Sequence, residues 1–140
     1  MVDIHETAVI YPGVTIGHNV TIGAFCIIGA PAESKRHEGQ HGFGVVIGNN
    51  VTIHGHATID AGSERPTIID DGAYIMKTVH IGHDSIIHKD VTISPQAVIG
   101  GFVEILIAFA FSKLCLSNDA IHGGFDLCEL AHAADCIEGE

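Results

Sequence analysis

Positively charged side chains are scarce in this 140-residue chain. Six lysines and arginines stand against 17 aspartates and glutamates, and the formal net charge is −11. Nucleic-acid binding needs clustered cations that neutralise phosphates, so this balance argues against a nucleic-acid partner. The same shortage argues against binding to an anionic membrane surface.

Long apolar runs and paired cysteines are also lacking. The most apolar run, ILIAFAF at 105–111, is far too short to span a bilayer, so we predict no membrane insertion. The first residues, MVDIHETAVI, have neither the basic segment nor the apolar stretch of a secretory signal. The four cysteines have no paired spacing, which fits a reduced, cytoplasmic protein better than a disulfide framework.

Isoleucine, by contrast, recurs at a regular interval of six residues. Fifteen of the 21 isoleucines follow it, at 4, 10, 16, 22 and 28, at 47, 53 and 59, and at 69, 75, 81, 87, 93, 99 and 105. Four residues after all but the last of these comes a small side chain. Neither a helix nor a long flat strand has this period, so we predict short strands joined by corners. Glycine or asparagine near many corners suits turns of positive φ; these residues are Gly17, Asn19, Gly23, Gly29, Gly48, Asn50 and Gly82.

The isoleucine pattern over residues 4–105 resembles the hexapeptide-repeat family. That resemblance implies an all-β fold, a left-handed parallel β-helix of triangular cross-section with three hexads in each coil. Fourteen full hexads then give about four to five coils, with isoleucine pointing inward and stacking between coils.

Two segments interrupt the repeat, and loops on solenoids often carry function. The first, SKRHEGQHGFGVV at 34–46, is polar and glycine-rich, and the second lies around ERPT at 64–67. If each replaces one corner, the hexads of Ile28, Ile59, Ile81 and Ile99 lie on one face. The long loop then leaves the corner that carries His83.

The repeat stops after Ile105, which divides the chain into two predicted regions. Residues 1–105 form the β-helix with the loop insertion 34–46, and residues 106–140 form an atypical tail. The tail is irregular or includes a short helix over FDLCELAHAADCIE at 125–138, and it could cap the open strand edges. A fused or frameshifted end of the reading frame is the alternative.

The segment HIGHD, with His80, His83 and Asp84, resembles the active-site segment of UDP-N-acetylglucosamine acyltransferases. The resemblance implies His83 as general base, Asp84 as the residue that orients it, and His80 as a substrate contact. Histidine suits this role because its pKa lies near neutrality. Gly101, one coil of 18 residues after His83, would supply the N–H that stabilises the oxyanion.

The segment IIGAPAESKRHEG resembles the family's substrate loop, which implies that Glu33 and Lys35 contact a nucleotide sugar. The implied partners are two further copies of the chain in a homotrimer and an acyl donor, either acyl carrier protein or coenzyme A, with no cofactor. Two departures stand out: Glu33 replaces an aspartate, and Phe102 replaces a histidine. An acidic carrier protein would also meet a chain of like charge.

Two other functions fit the same residues. IGHDSIIH resembles the metal segment of γ-class carbonic anhydrases, in which His83 and His88 would bind zinc with a third ligand from His54, His56 or another chain. A catalytically silent trimeric binding module is the second alternative.

Overall fold

The computed structural model of the protein describes residues 1–40, 42–106 and 115–116. They form sixteen short strands in three sheets. Sheet A consists of β1 (Val2–Ile4), β4 (Val20–Ile22), β7 (Thr52–Ile53), β10 (Tyr74–Ile75) and β13 (Thr92–Ile93). Sheet B consists of β2 (Val9–Ile10), β5 (Ile27–Ala30), β8 (Thr58–Asp60), β11 (His80–Ile81), β14 (Val98–Ile99) and β16 (Cys115–Leu116). Sheet C consists of β3 (Val14–Ile16), β6 (Val45–Ile47), β9 (Thr67–Ile69), β12 (Ile86–Ile87) and β15 (Glu104–Ile105).

The chain winds as a parallel β-solenoid. Each strand from β1 to β12 pairs in parallel with the strand three places later, so three consecutive strands make one coil and β1–β15 make about five. The predicted all-β fold and its number of coils are confirmed. The described residues contain no helix, and therefore no helix that could span a membrane.

Stacked isoleucines form the core, as the repeat predicted. In sheet B the register joins Ile28 to Ile59, Ile59 to Ile81 and Ile81 to Ile99, so these four residues share one face as expected. All four are at most 1% exposed. Burying one isoleucine side chain contributes roughly 1.5–3 kcal/mol. The small residues four places after the isoleucines complete this core, among them Val51, Ala57, Val79 and Ser85.

The corners use two different backbone solutions. The third residue after most inward isoleucines has a positive φ, including Asn19 (54°), Asn50 (56°) and Asp84 (62°). The prediction of positive φ is right for these asparagines and Gly29, but wrong for Gly17, Gly23, Gly48 and Gly82. Those four glycines directly follow an isoleucine, where a Cβ would overlap the next coil. Close stacking of corners therefore requires them.

Two stretches of the chain leave the repeat. No strand occurs over 31–40 and 42–44, whereas Val45 and Val46, which the prediction placed in the loop 34–46, already belong to β6. The predicted tail 106–140 lies outside the described residues, apart from Leu106 and the pair Cys115–Leu116. That pair extends sheet B beside β14.

Candidate active site

The candidate site lies at one corner of the solenoid, where the strands of sheet B end. Because β5, β8, β11 and β14 are neighbours in this sheet, the segments that follow them stack on one another. These segments are the long loop, described over 31–40 and 42–44, the turn 61–66, the pair His83–Asp84 and the pair Gly101–Phe102. The long loop and His83 thus share a corner, as the sequence predicted.

His83 is held by a carboxylate, with its side chain 17% exposed. Its Nδ1 lies 2.7 Å from Oδ2 of Asp84. A carboxylate oxygen accepts hydrogen bonds, so this contact favours the ring form in which Nδ1 carries the hydrogen and donates. Nε2 then keeps a free lone pair, which is the form that a general base requires.

Asp84 is fully buried and accepts several hydrogen bonds. The backbone N–H groups of Ser63, Glu64 and Arg65 lie 2.7–3.1 Å from its carboxylate oxygens, and the Ser63 hydroxyl donates at 2.6 Å. Burial alone would raise the pKa of Asp84, but these hydrogen bonds outweigh it and hold the pKa well below its usual range. Asp84 is therefore ionised at neutral pH and orients His83.

The turn that surrounds Asp84 is the second interruption of the repeat. Arg65 also donates from Nε to the Asp84 carbonyl at 2.8 Å, and the Asp84 N–H donates to Thr67 Oγ1 at 2.9 Å. The first interruption meets this turn, because the Phe43 N–H donates to the Gly62 carbonyl at 2.8 Å. The sequence analysis assigned no role to Ser63 or Arg65. The only signal was the break in the isoleucine period next to the His83 corner.

Gly101 lies against the His83 ring. A Cβ on Gly101 would stand 2.6 Å from Cε1 and Nε2 of His83, so any larger residue would displace the ring. Phe102 meets the same ring edge-on, with ring centroids 5.2 Å apart. The Gly101 N–H donates no hydrogen bond within the part of the chain that the structure describes. The three predicted catalytic residues, His83, Asp84 and Gly101, are therefore brought together.

His80 lies on β11, and its two ring nitrogens face two different residues. Nδ1 is 2.7 Å from Thr58 Oγ1, and Nε2 is 3.8 Å from Oδ2 of Asp60. Asp60 is 6% exposed, and this Oδ2 has no hydrogen-bond partner. The sequence analysis missed Asp60, although it directly follows the inward Ile59 in the same sheet.

Glu33 and Lys35 lie on the long loop and are both exposed. They line a cleft of about 570 Å³ together with Ala32, Ser34 and Glu38. His83 and His80 do not line this cleft. The loop nevertheless reaches the histidine corner, because the Glu33 backbone N–H faces the carboxylate of Asp60.

The alternative metal ligands are not brought together within one chain. His54 follows β7 of sheet A and contacts the Tyr74 hydroxyl at 2.7 Å. His88 follows β12 of sheet C and contacts Glu104 at 2.6 Å, whereas His83 lies at the corner after sheet B. Among the described residues, no group of three histidine, cysteine or acidic side chains could hold a metal ion.

The sequence matches a known repeat family and one group of acyltransferases. The bacterial transferase hexapeptide (six repeats) pattern matches residues 2–33 and 66–101. Acyl-[acyl-carrier-protein]–UDP-N-acetylglucosamine O-acyltransferase of Campylobacter concisus is 32% identical over 93 residues. The aligned part is 64% of this chain and 36% of that enzyme. The chain thus spans little more than a third of this relative's length.

Solved structures of similar enzymes share the fold. UDP-N-acetylglucosamine acyltransferase from Campylobacter jejuni is 27% identical with a TM-score of 0.51, over 73% of this chain and 54% of that one. The enzyme of the same name from Bacteroides fragilis is 22% identical with a TM-score of 0.59, over 96% and 69%. Together with the stacked isoleucine repeat, these similarities show a parallel β-solenoid whose sequence carries the bacterial transferase hexapeptide repeat over residues 2–33 and 66–101.

Proposed function

We propose that this chain is an acyltransferase that moves an acyl group from a thioester donor to a hydroxyl of a nucleotide sugar like UDP-N-acetylglucosamine. One observation carries the proposal: His83 is oriented by the buried, ionised Asp84 while its ring lies against Gly101. The similarity to the Campylobacter enzymes supports the choice of reaction and of substrate class.

The reaction uses His83 as a base and then as an acid. Nε2 takes the proton of the sugar hydroxyl while that oxygen attacks the thioester carbonyl carbon. The Gly101 N–H donates to the resulting oxyanion. When the intermediate collapses, the carbon–sulfur bond breaks and the thiol leaves with the proton from His83. Asp84 stabilises the imidazolium throughout and takes no proton.

Substrate contacts are proposed for three further residues. His80 lies one strand position from the inward Ile81 and faces outward beside the catalytic corner. Lys35 lies on the exposed loop, and the family resemblance assigns it to the pyrophosphate of the nucleotide sugar. By the same resemblance Glu33 would contact the sugar. The acyl donor is acyl carrier protein or acyl-coenzyme A. Because the net charge of −11 would repel an acidic carrier protein, both donors are tested.

A homotrimer is proposed because exposed apolar side chains lie on the outer face of sheet B, on both sides of the pair Thr58 and His80. Val9, Ile27 and Val98 are 39–49% exposed there, in the same sheet as His80. An exposed apolar surface of this kind favours contact between protein chains. The cytoplasmic location stays a prediction from the sequence.

The test is a transfer assay on wild type and two histidine variants. Purified protein is supplied with UDP-N-acetylglucosamine and with acyl-coenzyme A or acyl carrier protein, and the released thiol is measured. We expect His83→Ala to lower kcat by about 10²–10⁴-fold, since it removes the base. His88→Ala is the matched control, because His88 pairs with Glu104 on another face and should leave kcat within about twofold.

Two results would reject the proposal. Equal rates in wild type and His83→Ala would show that His83 is not the base. Wild-type protein that turns over neither donor would favour the silent binding module. Elemental analysis of the same preparation addresses the anhydrase alternative, which requires about one zinc or iron per chain.

A further inference from the structure

Asp60 is a buried acid that the proposed mechanism does not use. It ends strand β8, is 6% exposed, and its Oδ2 has no hydrogen-bond partner. An unpaired buried oxygen of this kind destabilises a fold by about 1–3 kcal/mol. Alanine at this position would avoid that cost. The position of Asp60 within the candidate site suggests a role in substrate binding.

The unpaired oxygen faces the Nε2 nitrogen of His80. Asp60 Oδ2 and His80 Nε2 are 3.8 Å apart, which is within range of charge attraction but longer than a hydrogen bond. On the other side of the ring, Thr58 Oγ1 lies 2.7 Å from Nδ1. A carboxylate beside Nε2 favours a hydrogen on that nitrogen, and the Thr58 hydroxyl can then donate to Nδ1.

Three charged or titratable groups face Asp60. Burial raises its pKa most, and the negative charge of Glu33 raises it further. His80, the backbone N–H of Glu33 and His83 act in the opposite direction. Asp60 therefore lies between the substrate loop, which carries Glu33, and the two histidines of strand β11 and its corner.

We infer that Asp60 is a positioning residue of this site, which keeps a hydrogen on His80 Nε2 so that His80 donates a hydrogen bond to the substrate. The two histidines then differ in role because their carboxylates face different nitrogens. Asp84 faces Nδ1 of His83 and leaves Nε2 as a base, whereas Asp60 faces Nε2 of His80 and makes it a donor. The role toward a substrate rests on the proposed function, whereas the contact between Asp60 and His80 does not.

The contact is tested without any substrate. The carboxyl carbon of Asp60 is followed by NMR as the pH is changed, in wild type, His80→Gln and His88→Gln. Because His80 lowers the pKa of Asp60, we expect Asp60 to bind its proton at higher pH in His80→Gln. His88→Gln, on another face, should match wild type. An identical Asp60 titration in all three proteins would overturn the inference, whether or not the protein is an enzyme.

The role toward substrate is tested by separating KM from kcat. In Asp60→Asn the carboxylate no longer keeps a hydrogen on His80 Nε2, so the hydrogen bond from His80 to the substrate is lost. We therefore expect KM for the nucleotide sugar to rise about tenfold, with kcat near wild type. In wild type KM should also rise as the pH falls and Asp60 is protonated, and this rise should be absent in the variant. An unchanged KM would overturn the role.

Thermal unfolding separates this role from a merely structural one. Asp60→Asn removes the charge of a carboxylate that is unpaired in the fold, so its Tm should equal or exceed that of wild type. Asp60→Ala is the second variant if the amide alters the packing. A large drop in Tm in both variants would make Asp60 a structural residue and contradict the inference.

Discussion

At the scale of single residues, the candidate site depends on one corner position that the repeat uses many times. Asn50, Asp84 and Asp90 are each the third residue after an inward isoleucine, and each has a positive φ. Asn50 and Asp90 are exposed, but Asp84 is fully buried because the turn 63–65 covers it. A common turn residue has thereby become a fixed anion beside His83.

The low pKa of Asp84 predicts how stability depends on pH. Its carboxylate is stabilised in the fold, so this contribution is present above the usual range of aspartate, about 4, and is lost as the pH falls below it. We expect Asp84→Asn to lower the free energy of unfolding by about 2 kcal/mol at neutral pH. Urea unfolding at several pH values should show this difference shrinking in acid.

Asp90→Asn is the control for that experiment, since Asp90 has the same backbone conformation but is exposed. It should unfold like wild type at every pH. If Asp84→Asn were equally stable as wild type at neutral pH, the hydrogen bonds from the turn 63–65 would contribute nothing.

At the scale of elements, glycine lets consecutive corners approach one another. A Cβ on Gly82 would stand 2.7 Å from backbone atoms of Gly100 and Gly101, and a Cβ on Gly101 would in turn meet the His83 ring. The corner after sheet B is therefore packed closely enough to bring the His83 ring against Gly101. This closeness does not depend on positive φ, which neither Gly82 nor Gly101 has.

Gly101→Ala should accordingly impair catalysis more than stability. The new Cβ would lie 2.6 Å from the ring atoms of His83, and a ring displaced by about 1 Å can lose about 10²-fold in rate. Gly55→Ala is the matched control: it occupies the same corner position after sheet A, where the nearest atom to a Cβ is the Ala24 carbonyl oxygen at 3.0 Å. Steady-state rates and Tm of both variants decide the matter. Equal kcat in the two would contradict the proposed contact.

At the scale of the whole molecule, the three faces of the solenoid differ in their outward side chains. Sheet A presents threonines at 21, 52 and 92 together with Tyr74, whereas sheet B presents Val9, Ile27 and Val98 on either side of Thr58 and His80. Because coils contact only their neighbours, the stacked isoleucines stabilise each chain independently of what its outer faces do. The outer face of sheet B can therefore evolve as a contact surface.

Val98→Glu should break the proposed homotrimer and reduce transfer. Val98 pairs in register with His80 and is 43% exposed, so a carboxylate there would be buried without a partner in a chain contact. Light scattering should show a mass near three times 14.7 kDa for wild type and near one chain for the variant. Thr92→Glu adds the same charge on sheet A and should stay trimeric. A monomeric wild type would reject the trimer.

Much of the fold and part of the site follow from the isoleucine period. Once three hexads make a coil, residues 18 apart in an unbroken stretch become vertical neighbours, which predicts Gly101 next to His83. The same counting put the long loop at the His83 corner. It could not place the edge of that loop, because Val45 and Val46 suit either a strand or an apolar loop end.

The sequence by itself determined the solenoid, its inward isoleucines and the pairing of His83 with Gly101. A strict six-residue period fixes, for every residue in it, whether the side chain points inward or outward and in which coil it lies. Only the tertiary structure decided the surroundings of Asp84 and Asp60. Ser63, Glu64 and Arg65 reach Asp84 through an insertion whose path no period dictates. The distance of 3.8 Å between Asp60 Oδ2 and His80 Nε2 likewise depends on how two neighbouring coils and the long loop pack against one another.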